Sequence, residues 1–168
     1  GAFGFEVQVS GTTTKLLVGA ANVSAFLGVG AGTPDAIGIQ VKDAKLGLVL
    51  FKTGTAASTY ALDASGTAAL VGLDGLVIVG TLGVRVNKTG QTVDETVHTS
   101  TTSAGDVLVK FDTTENIQAF SGSITLSVTG VFTLSGSVTA TQRANGTVLI
   151  DIPNVTLTIT LSGNEVFS

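Results

Sequence analysis

The chain has 168 residues, of which 12% are charged, about half the share found in a typical soluble domain. Eight Lys and Arg residues against twelve Asp and Glu residues give a net charge of −4, and no basic cluster is present, which excludes a nucleic-acid-binding surface. The absence of Cys excludes disulfide bridges and thiolate metal sites.

The low charge also bears on how the surface is used. Ser, Thr and 22 glycines stand where charged residues would be expected, and sheet edges without charge tend to recruit partners. We therefore expect part of the surface to be covered by a neighbouring chain. The sequence begins at Gly1 without an initiator Met or a signal peptide, so we expect a processed chain or a piece of a longer one.

Alternation of apolar and polar residues with a period of two runs along the chain and predicts β-strands. The first predicted strand alternates from Phe3 to Val9. The uncharged stretch between Lys15 and Asp35 approaches the length of a membrane-spanning helix. Its Asn, Ser and Gly residues and Pro34 favour strand and turn instead, so no membrane span is predicted.

The second half of the chain continues the pattern after a polar interruption. The stretch from Gln91 to Gly105 is the most polar, and we expect a long loop or an excursion to a sheet edge. From Ile124 to Ala140, apolar residues alternate with Ser and Thr. At about 3.3 Å per residue this strand would reach roughly 55 Å, so a bend is expected at Gly130 or Gly136.

The C-terminal region predicts one more strand. Pro153 requires a strand start, a bulge or an edge, and Val155 to Leu161 then alternates with Thr156, Thr158 and Thr160. The patterns together predict a single all-β domain over residues 1–168. We expect a mostly antiparallel sandwich, prism or solenoid-like stack with Ser/Thr-rich outer faces.

A degenerate internal repeat is centred on Asn or Asp. An apolar or small residue precedes the Asx, and an apolar run resumes after it. Because an Asx side chain can cap the local backbone, we interpret each copy as a strand boundary. The copies are AANVSAF around Asn22, VKDAKLG around Asp43, GLDGLVI around Asp74, TENIQAF around Asn116 and IPNVTLT around Asn154.

The residue pattern of the central region is also characteristic. YALDASGTAALVGLDGLVIVGTLGVRVNKTGQTVDETV, followed by VLVKFDTTENIQAFSGSITLSVTGVFTLSGSVTAT, resembles repeat units of very large bacterial surface or secreted proteins, which carry tandem arrays of Gly-, Thr- and Val-rich β modules. The resemblance covers most of Tyr60 to Thr141. It implies an extracellular or cell-surface, adhesin-like or scaffold role for one unit of a larger array, and it brings no catalytic signature.

Candidate chemistry is sparse. His98 is the single histidine and lies near Asp94 and Glu95, but a metal site needs several converging ligands. Consecutive residues on a strand point to opposite faces, which argues against a paired-carboxylate site. No nucleophile elbow is present, and the glycines of GVGAG from Gly28 to Gly32 lack a following Lys. We therefore predict that the chain is not an enzyme.

No cofactor is predicted, and calcium stays open as an alternative. No EF-hand pattern is present, and the candidate carboxylates are ordinary turn residues by position, namely Asp35, Asp43, Asp74 and Asp112. Four sequons occur, at Asn22, Asn87, Asn145 and Asn154. Asn87 and Asn145 fall in predicted turns, where a glycan could be tolerated.

The favoured hypothesis is a structural module that self-associates, either as a unit of a surface repeat array or as a filament protomer. The uncharged segment from Asn116 to Gln142 would promote aggregation at an exposed edge, so we expect it to be central in the sheet or paired with another chain. Copies of the chain could join by strand addition through the terminal strands Gly1 to Val9 and Val155 to Phe167. The residues predicted to carry this contact are Phe3, Phe5, Val7, Val9, Val155, Leu157, Ile159 and Leu161.

A binding module is the alternative hypothesis, with a glycan or another surface ligand as partner. Rows of Thr could order water as in an ice-binding protein. A carbohydrate-binding module would normally present exposed Trp or Tyr, whereas this chain has Tyr60 and no Trp. An adhesin would show an aromatic or acidic cluster, and no such cluster is evident in the sequence.

Overall fold

A computed structural model describes residues 1–100, 105–161 and 164–167 of the chain. The described residues form strands joined by turns, without a helix. The strands are β1 (Ala2–Ser10), β2 (Thr13–Val29), β3 (Ile37–Thr53), β4 (Thr59–Val71), β5 (Leu76–Asn87), β6 (Val93–Val97), β7 (Val107–Phe111), β8 (Ile117–Val128), β9 (Phe132–Arg143), β10 (Val148–Asp151), β11 (Val155–Leu161) and β12 (Asn164–Phe167).

Ten of these strands form one large antiparallel sheet. Their order is β1-β2-β3-β4-β5-β8-β9-β11-β12, and β10 also pairs with β9. Strands β6 and β7 form a separate antiparallel hairpin, inserted between β5 and β8 in the chain. The prediction of an all-β, antiparallel fold is confirmed. The architecture is an open, sandwich-like sheet whose second layer is this hairpin.

Two copies of the predicted Asx repeat mark bulges inside strands. Asn22 in β2 and Asp43 in β3 both have a φ of 53°, a left-handed conformation that Asn and Asp tolerate better than most residues. The pairing register of β2 and β3 shifts beside both residues. The strand-boundary interpretation is therefore wrong for these two copies. Asp74 does lie in a turn, between β4 and β5.

The long alternating segment bends at the first of the two expected glycines. Gly130 has a φ of 75°, and the Val131 amide donates a 3.0 Å hydrogen bond to the Val128 carbonyl. The turn splits the segment into β8 and β9, while Gly136 lies inside β9 opposite Val155. Because β8 lies between β5 and β9, the uncharged segment is central in the sheet, as predicted.

The polar stretch from Gln91 to Gly105, which was expected to be a long loop or an excursion to a sheet edge, is partly a strand within its described residues. It contributes β6, whose Val93 and Val97 side chains are buried against one face of the large sheet. Asp94 and Thr96 point away from the sheet, whereas Glu95 shares the face of the two valines. The buried cluster that joins the hairpin to the sheet consists of Leu17, Val49, Ala61, Val93, Val97, Val109 and Phe111.

A row of glycines lets the hairpin lie close to the sheet. Gly4, Gly19 and Gly47 are direct neighbours across β1, β2 and β3. A Cβ atom built on Gly47 would lie 2.7 Å from Cγ2 of Val109, and one on Gly4 would lie 1.9 Å from the carbonyl oxygen of His98. The hairpin and the segment after β6 therefore occupy the space that three side chains would otherwise fill.

Charged side chains fasten the margins of the hairpin. The Arg85 guanidinium donates to Asp63 at 2.8 Å and to the Lys110 carbonyl, and it lies 4.7 Å from the centre of the Phe111 ring. Lys15 pairs with Glu95 at 2.7 Å. The contacts of Arg85 with Lys110 and Phe111, and that of Lys15 with Glu95, join the sheet to the hairpin. They help to fix the orientation of the hairpin on the sheet.

The structure corrects the expectation that Asn87 could carry a glycan. Its side chain is fully buried, with a relative exposure of 0%. The amide nitrogen donates to the Gln91 carbonyl at 3.0 Å, and the amide oxygen accepts from the backbone and hydroxyl of Thr89. Asn145 is exposed in a turn, where a glycan could be tolerated.

Candidate assembly surfaces

The first four predicted assembly residues lie on β1, an edge strand of the large sheet that has no partner on its outer side among the described residues. Strand β1 pairs with β2 on one side and is the terminal strand of the order. The side chains of Phe3, Phe5, Val7 and Val9 are 63%, 74%, 63% and 71% exposed. Large apolar side chains are rarely exposed in such a continuous row on a monomer.

The turn after β1 determines which backbone groups point outward. Gly11 and Thr12 form a two-residue connection, and Gly11 has a φ of 58°, as the first position of a type II′ turn requires. The closing pair, Ser10 with Thr13, occupies a hydrogen-bonded position of the ladder. Since such positions alternate in an antiparallel pair, the N–H and C=O groups of the four odd-numbered residues from Phe3 to Val9 point away from β2.

The C-terminal predicted residues lie near the opposite edge. Val155, Leu157 and Ile159 are on β11, which pairs with β9. Strand β12 pairs only with the last residues of β11, from Ile159 to Leu161. Within the described chain, Val155 to Thr158 therefore has no strand on its outer side, and β11 is an edge over only part of its length. The side chain of Leu161 lies outside the described residues.

All of the described predicted assembly side chains share one face of the large sheet, the face opposite the β6–β7 hairpin. We call it the apolar face. The register aligns apolar residues on it row after row. One row is Phe3, Ala20, Leu46, Ala64, Val84, Phe120 and Ala140, and another is Leu27, Ile39, Leu70, Ile78, Leu126, Leu134 and Leu157.

The other side of the sheet carries hydroxyl groups beyond the hairpin. We call this region the hydroxyl face. The Thr81 and Ser123 hydroxyls are 2.7 Å apart, and those of Ser127 and Thr133 are 2.9 Å apart. Its rows across β5, β8, β9 and β11 are Thr81, Ser123 and Ser137; Thr125, Ser135 and Thr156; and Ser127, Thr133 and Thr158.

The structure separates the candidate catalytic residues into distinct pairs. Nδ1 of His98 lies 2.9 Å from Oδ2 of Asp106. Glu95 faces the sheet and pairs with Lys15, whereas Asp94 faces solvent on β6 and lies 3.3 Å from Nζ of Lys110. The predicted divergence of Asp94 and Glu95 is confirmed.

Lys110, on the exposed side of the hairpin, has a raised pKa. The hydrogen bond that the Lys110 ammonium donates to Asp94, the negative charge of Asp94 and that of Asp112 raise the pKa of Lys110 above its usual 10.5. Asp112 lies 3.8 Å from Nζ of Lys110. These are exposed ion pairs of the kind that contribute little to stability.

The candidate calcium carboxylates are not gathered into a site. Asp35 and Asp74 lie in turns, Asp43 lies at a bulge, and Asp112 follows β7. Among residues 1–100, 105–161 and 164–167, no group of three or more His, Cys, Asp or Glu side chains is placed to hold a metal ion.

Comparison of the chain with protein-family models, with curated proteins and with solved structures gives no match. Within the part of the chain that the structure describes, no helix has the length and apolar character needed to cross a membrane.

Proposed function

We propose that this chain is a non-enzymatic structural module that acts outside the cell or on the cell surface and self-associates by pairing of β-strands. It would serve as one unit of a surface repeat array or as the protomer of a filament. The observation that carries the proposal is the free edge of β1, with its exposed apolar side chains and unpaired backbone groups.

Strand β1 lacks the usual devices that prevent edge pairing. Natural sheets protect their edges with Lys, Pro, bulges or covering loops. The sequence AFGFEVQVS contains neither Lys nor Pro, and its pairing with β2 is regular from Ala2 to Ser10. Glu6 is its one charged residue, and it lies on the face opposite the exposed apolar side chains. An edge of this kind is suited to pairing with another chain.

The outer side of β11 supplies a complementary edge. Val155 to Thr158 is regular, uncharged and unpaired on that side within the described chain. Pairing of β1 in one copy with β11 in the next is a head-to-tail contact, which generates an open filament when it does not close into a ring. The same contact would join successive units of a covalent array into a continuous sheet.

A proline on the outward edge tests the proposal directly. Val7→Pro removes an N–H that points away from β2, and edge strands tolerate Pro at such positions. Val7→Thr is the matched control, because it keeps the N–H and a branched side chain of similar shape. Sedimentation velocity and far-UV circular dichroism would be compared for both variants and the unmodified chain.

We expect the Val7→Pro variant to keep its β spectrum and to lose the end-to-end oligomers that the unmodified chain and Val7→Thr form. Unchanged oligomers in the folded Val7→Pro variant would show that β1 does not carry the contact. A complete absence of oligomers in the unmodified chain would refute self-association altogether.

The hydroxyl face favours one second candidate, an extracellular binding module for a hydrated surface such as ice or a glycan. Three rows, each of three Ser or Thr residues, stand in register on β5, β8, β9 and β11, and such an array can hold ordered water. Replacing Thr125, at the middle of the hydroxyl face, by Lys would reduce thermal hysteresis or glycan retention if this candidate is correct. Absence of both activities in the unmodified chain would eliminate it.

A further inference from the structure

Among the described residues, no second layer covers the apolar face, although it is the larger apolar surface of the sheet. A sheet with an apolar face is stable when another layer covers that face. The β6–β7 hairpin covers part of the opposite face, and on the apolar face only Val86 is buried among the described side chains. The structure therefore has one covered side and one open side.

The surface area of the chain measures how much covering is missing. The chain exposes 10205 Å², whereas a compact monomer of 16.8 kDa would expose about 7,700 Å². The excess is about 2,500 Å². Obligate interfaces bury roughly 2,000–5,000 Å² in total, so each partner contributes up to about 2,500 Å². A second layer of similar size would bring the area to that of a compact protein.

The charge distribution favours a partner with the same apolar surface. In β1 to β11, the register places one charged side chain, Lys52, on the apolar face, and it lies at the margin beside the β1–β2 turn. Charged residues in the middle of the sheet, such as Asp63 and Arg85, are on the other face. A charged or strongly polar partner would have no counterpart on this surface.

The relief of the apolar face also suits two copies packed together. Leu82 projects from β5, with 48% of its surface exposed, between hollows of 380, 360 and 340 Å³. Glycines lie on either side of it across the sheet, since Gly66 and Gly122 are its direct neighbours. Projections and hollows on one surface allow two copies to interdigitate about a two-fold axis.

We infer that the apolar face is a face-to-face interface with a second copy of this chain, which forms a double-layered sheet. Two such sheets would pack about 10 Å apart with their strands inclined by roughly 30°. The inference rests on the proposed self-association and assigns it a second contact, separate from the edges of β1 and β11. The edges would extend the assembly, and the apolar faces would pair its two layers.

A pair of arginine variants tests this interface. Leu82→Arg places a charge in the middle of the apolar face, and Thr81→Arg places the same charge one residue away on the hydroxyl face. Each variant would be made in the Val7→Pro background, where end-to-end pairing is blocked. Mass would be measured by light scattering, and folding would be checked by circular dichroism.

We expect Val7→Pro alone and with Thr81→Arg to have twice the chain mass of 16.8 kDa, and the variant with Leu82→Arg to have the monomer mass. A monomer in all three would overturn the interface, whereas retention of filaments in Val7→Pro would count against the edge proposal alone. A Leu82→Arg variant that keeps the doubled mass would also overturn it.

The absence of Cys gives a second measurement that does not depend on tolerance of Arg. Single Leu82→Cys and Thr81→Cys variants would be treated with a short bis-maleimide. Cross-linked dimers from Leu82→Cys, with little product from Thr81→Cys, support the interface, and equal yields contradict it. Binding of monomers to phosphatidylcholine vesicles that is lost on Leu82→Arg would assign the face to lipid and overturn pairing of copies.

Discussion

Replacing glycines of the row, Gly4 and Gly47, by Ala should reduce stability because the added methyl group would clash with the β6–β7 hairpin or the segment that follows β6. A glycine elsewhere in the sheet measures the general effect of adding a methyl group to a strand. A Cβ on Gly47 would lie 2.7 Å from Val109 and 2.9 Å from Val107, against an ordinary carbon–carbon separation of about 3.5–4.0 Å. On Gly4 the neighbour is a backbone carbonyl oxygen at 1.9 Å, which no side-chain rotation relieves.

The expected magnitudes follow from these distances. Overpacking costs about 1–3 kcal/mol, and replacing Gly by Ala returns about 0.4–1 kcal/mol through the unfolded chain. Gly47→Ala should therefore lower the free energy of unfolding by about 1–2 kcal/mol, and Gly4→Ala by about 2–2.5 kcal/mol. Gly66→Ala is the matched control, because its nearest neighbours are 3.4 Å away, and it should be neutral or stabilising.

Urea unfolding at low protein concentration, followed by far-UV circular dichroism, gives the three free energies. Thermal unfolding gives an independent check, since 1 kcal/mol corresponds to about 2–4 °C for a chain of this size. Hydrogen exchange would show whether the loss is concentrated in β6 and β7. Equal stability of the Gly4→Ala and Gly66→Ala variants would refute the seating of the hairpin on the glycine row.

Three further predictions concern packing, capping and charge. Leu17→Ala should cost about 2–5 kcal/mol in urea unfolding because Leu17 is buried under the hairpin, whereas Leu16→Ala, on the apolar face of the same strand, should cost the monomer much less; equal costs would contradict the assignment of faces. Asn87→Ala should cost about 1–3 kcal/mol by removing the hydrogen bonds that the buried Asn87 side chain makes with the Gln91 carbonyl and the Thr89 amide, and a neutral result would contradict the burial of this side chain. Asp94→Asn should lower the pKa of Lys110 toward 10.5 in an NMR titration, since Asp94 is the largest cause of its raised pKa, and an unchanged pKa would contradict the ion pair. The contribution of Lys110 to stability is complete below its pKa in the unfolded chain and is lost as the pH rises through the raised value.

Period-two alternation was sufficient to predict the class of fold and much of the strand content. In β1, β8, β9 and β11 the alternation is strict enough that the shared faces could be assigned before any pairing was known. It could not reveal that these faces belong to a single sheet, because register depends on pairing between distant strands. The extent of the apolar face was therefore missed, although its residues on the two terminal strands had been predicted to lie at an interface.

The hairpin escaped prediction for a different reason. Strand β6 has five residues. Three of them are polar, namely Asp94, Glu95 and Thr96, so polar residues outnumber the two valines and the segment resembles a loop in composition. A signal was nevertheless present, because Val93 and Val97 share one parity and so do Val107, Val109 and Phe111, although Leu108 interrupts the alternation of apolar and polar residues in β7. The glycine row could not be recognised from sequence, since its three members become neighbours only in the register of β1, β2 and β3.

The candidate residues for strand pairing illustrate what a terminal position does and does not indicate. Strand β1 lies at an edge as its place in the sequence suggested, and its hairpin turn adds the direction of the free backbone groups. Strand β11 is covered over its last residues by β12, which is a local hairpin partner. Short-range hairpins form whenever a turn sequence allows, so the last strand in sequence need not be wholly exposed.

The most direct test of self-association is the dependence of particle mass and shape on concentration, measured by light scattering together with negative-stain microscopy on the unmodified chain. Our proposal predicts mass that rises with concentration and ordered rods or fibres whose strands are paired end to end. A species that keeps a mass of 16.8 kDa at every concentration, with no ordered particles, would contradict it.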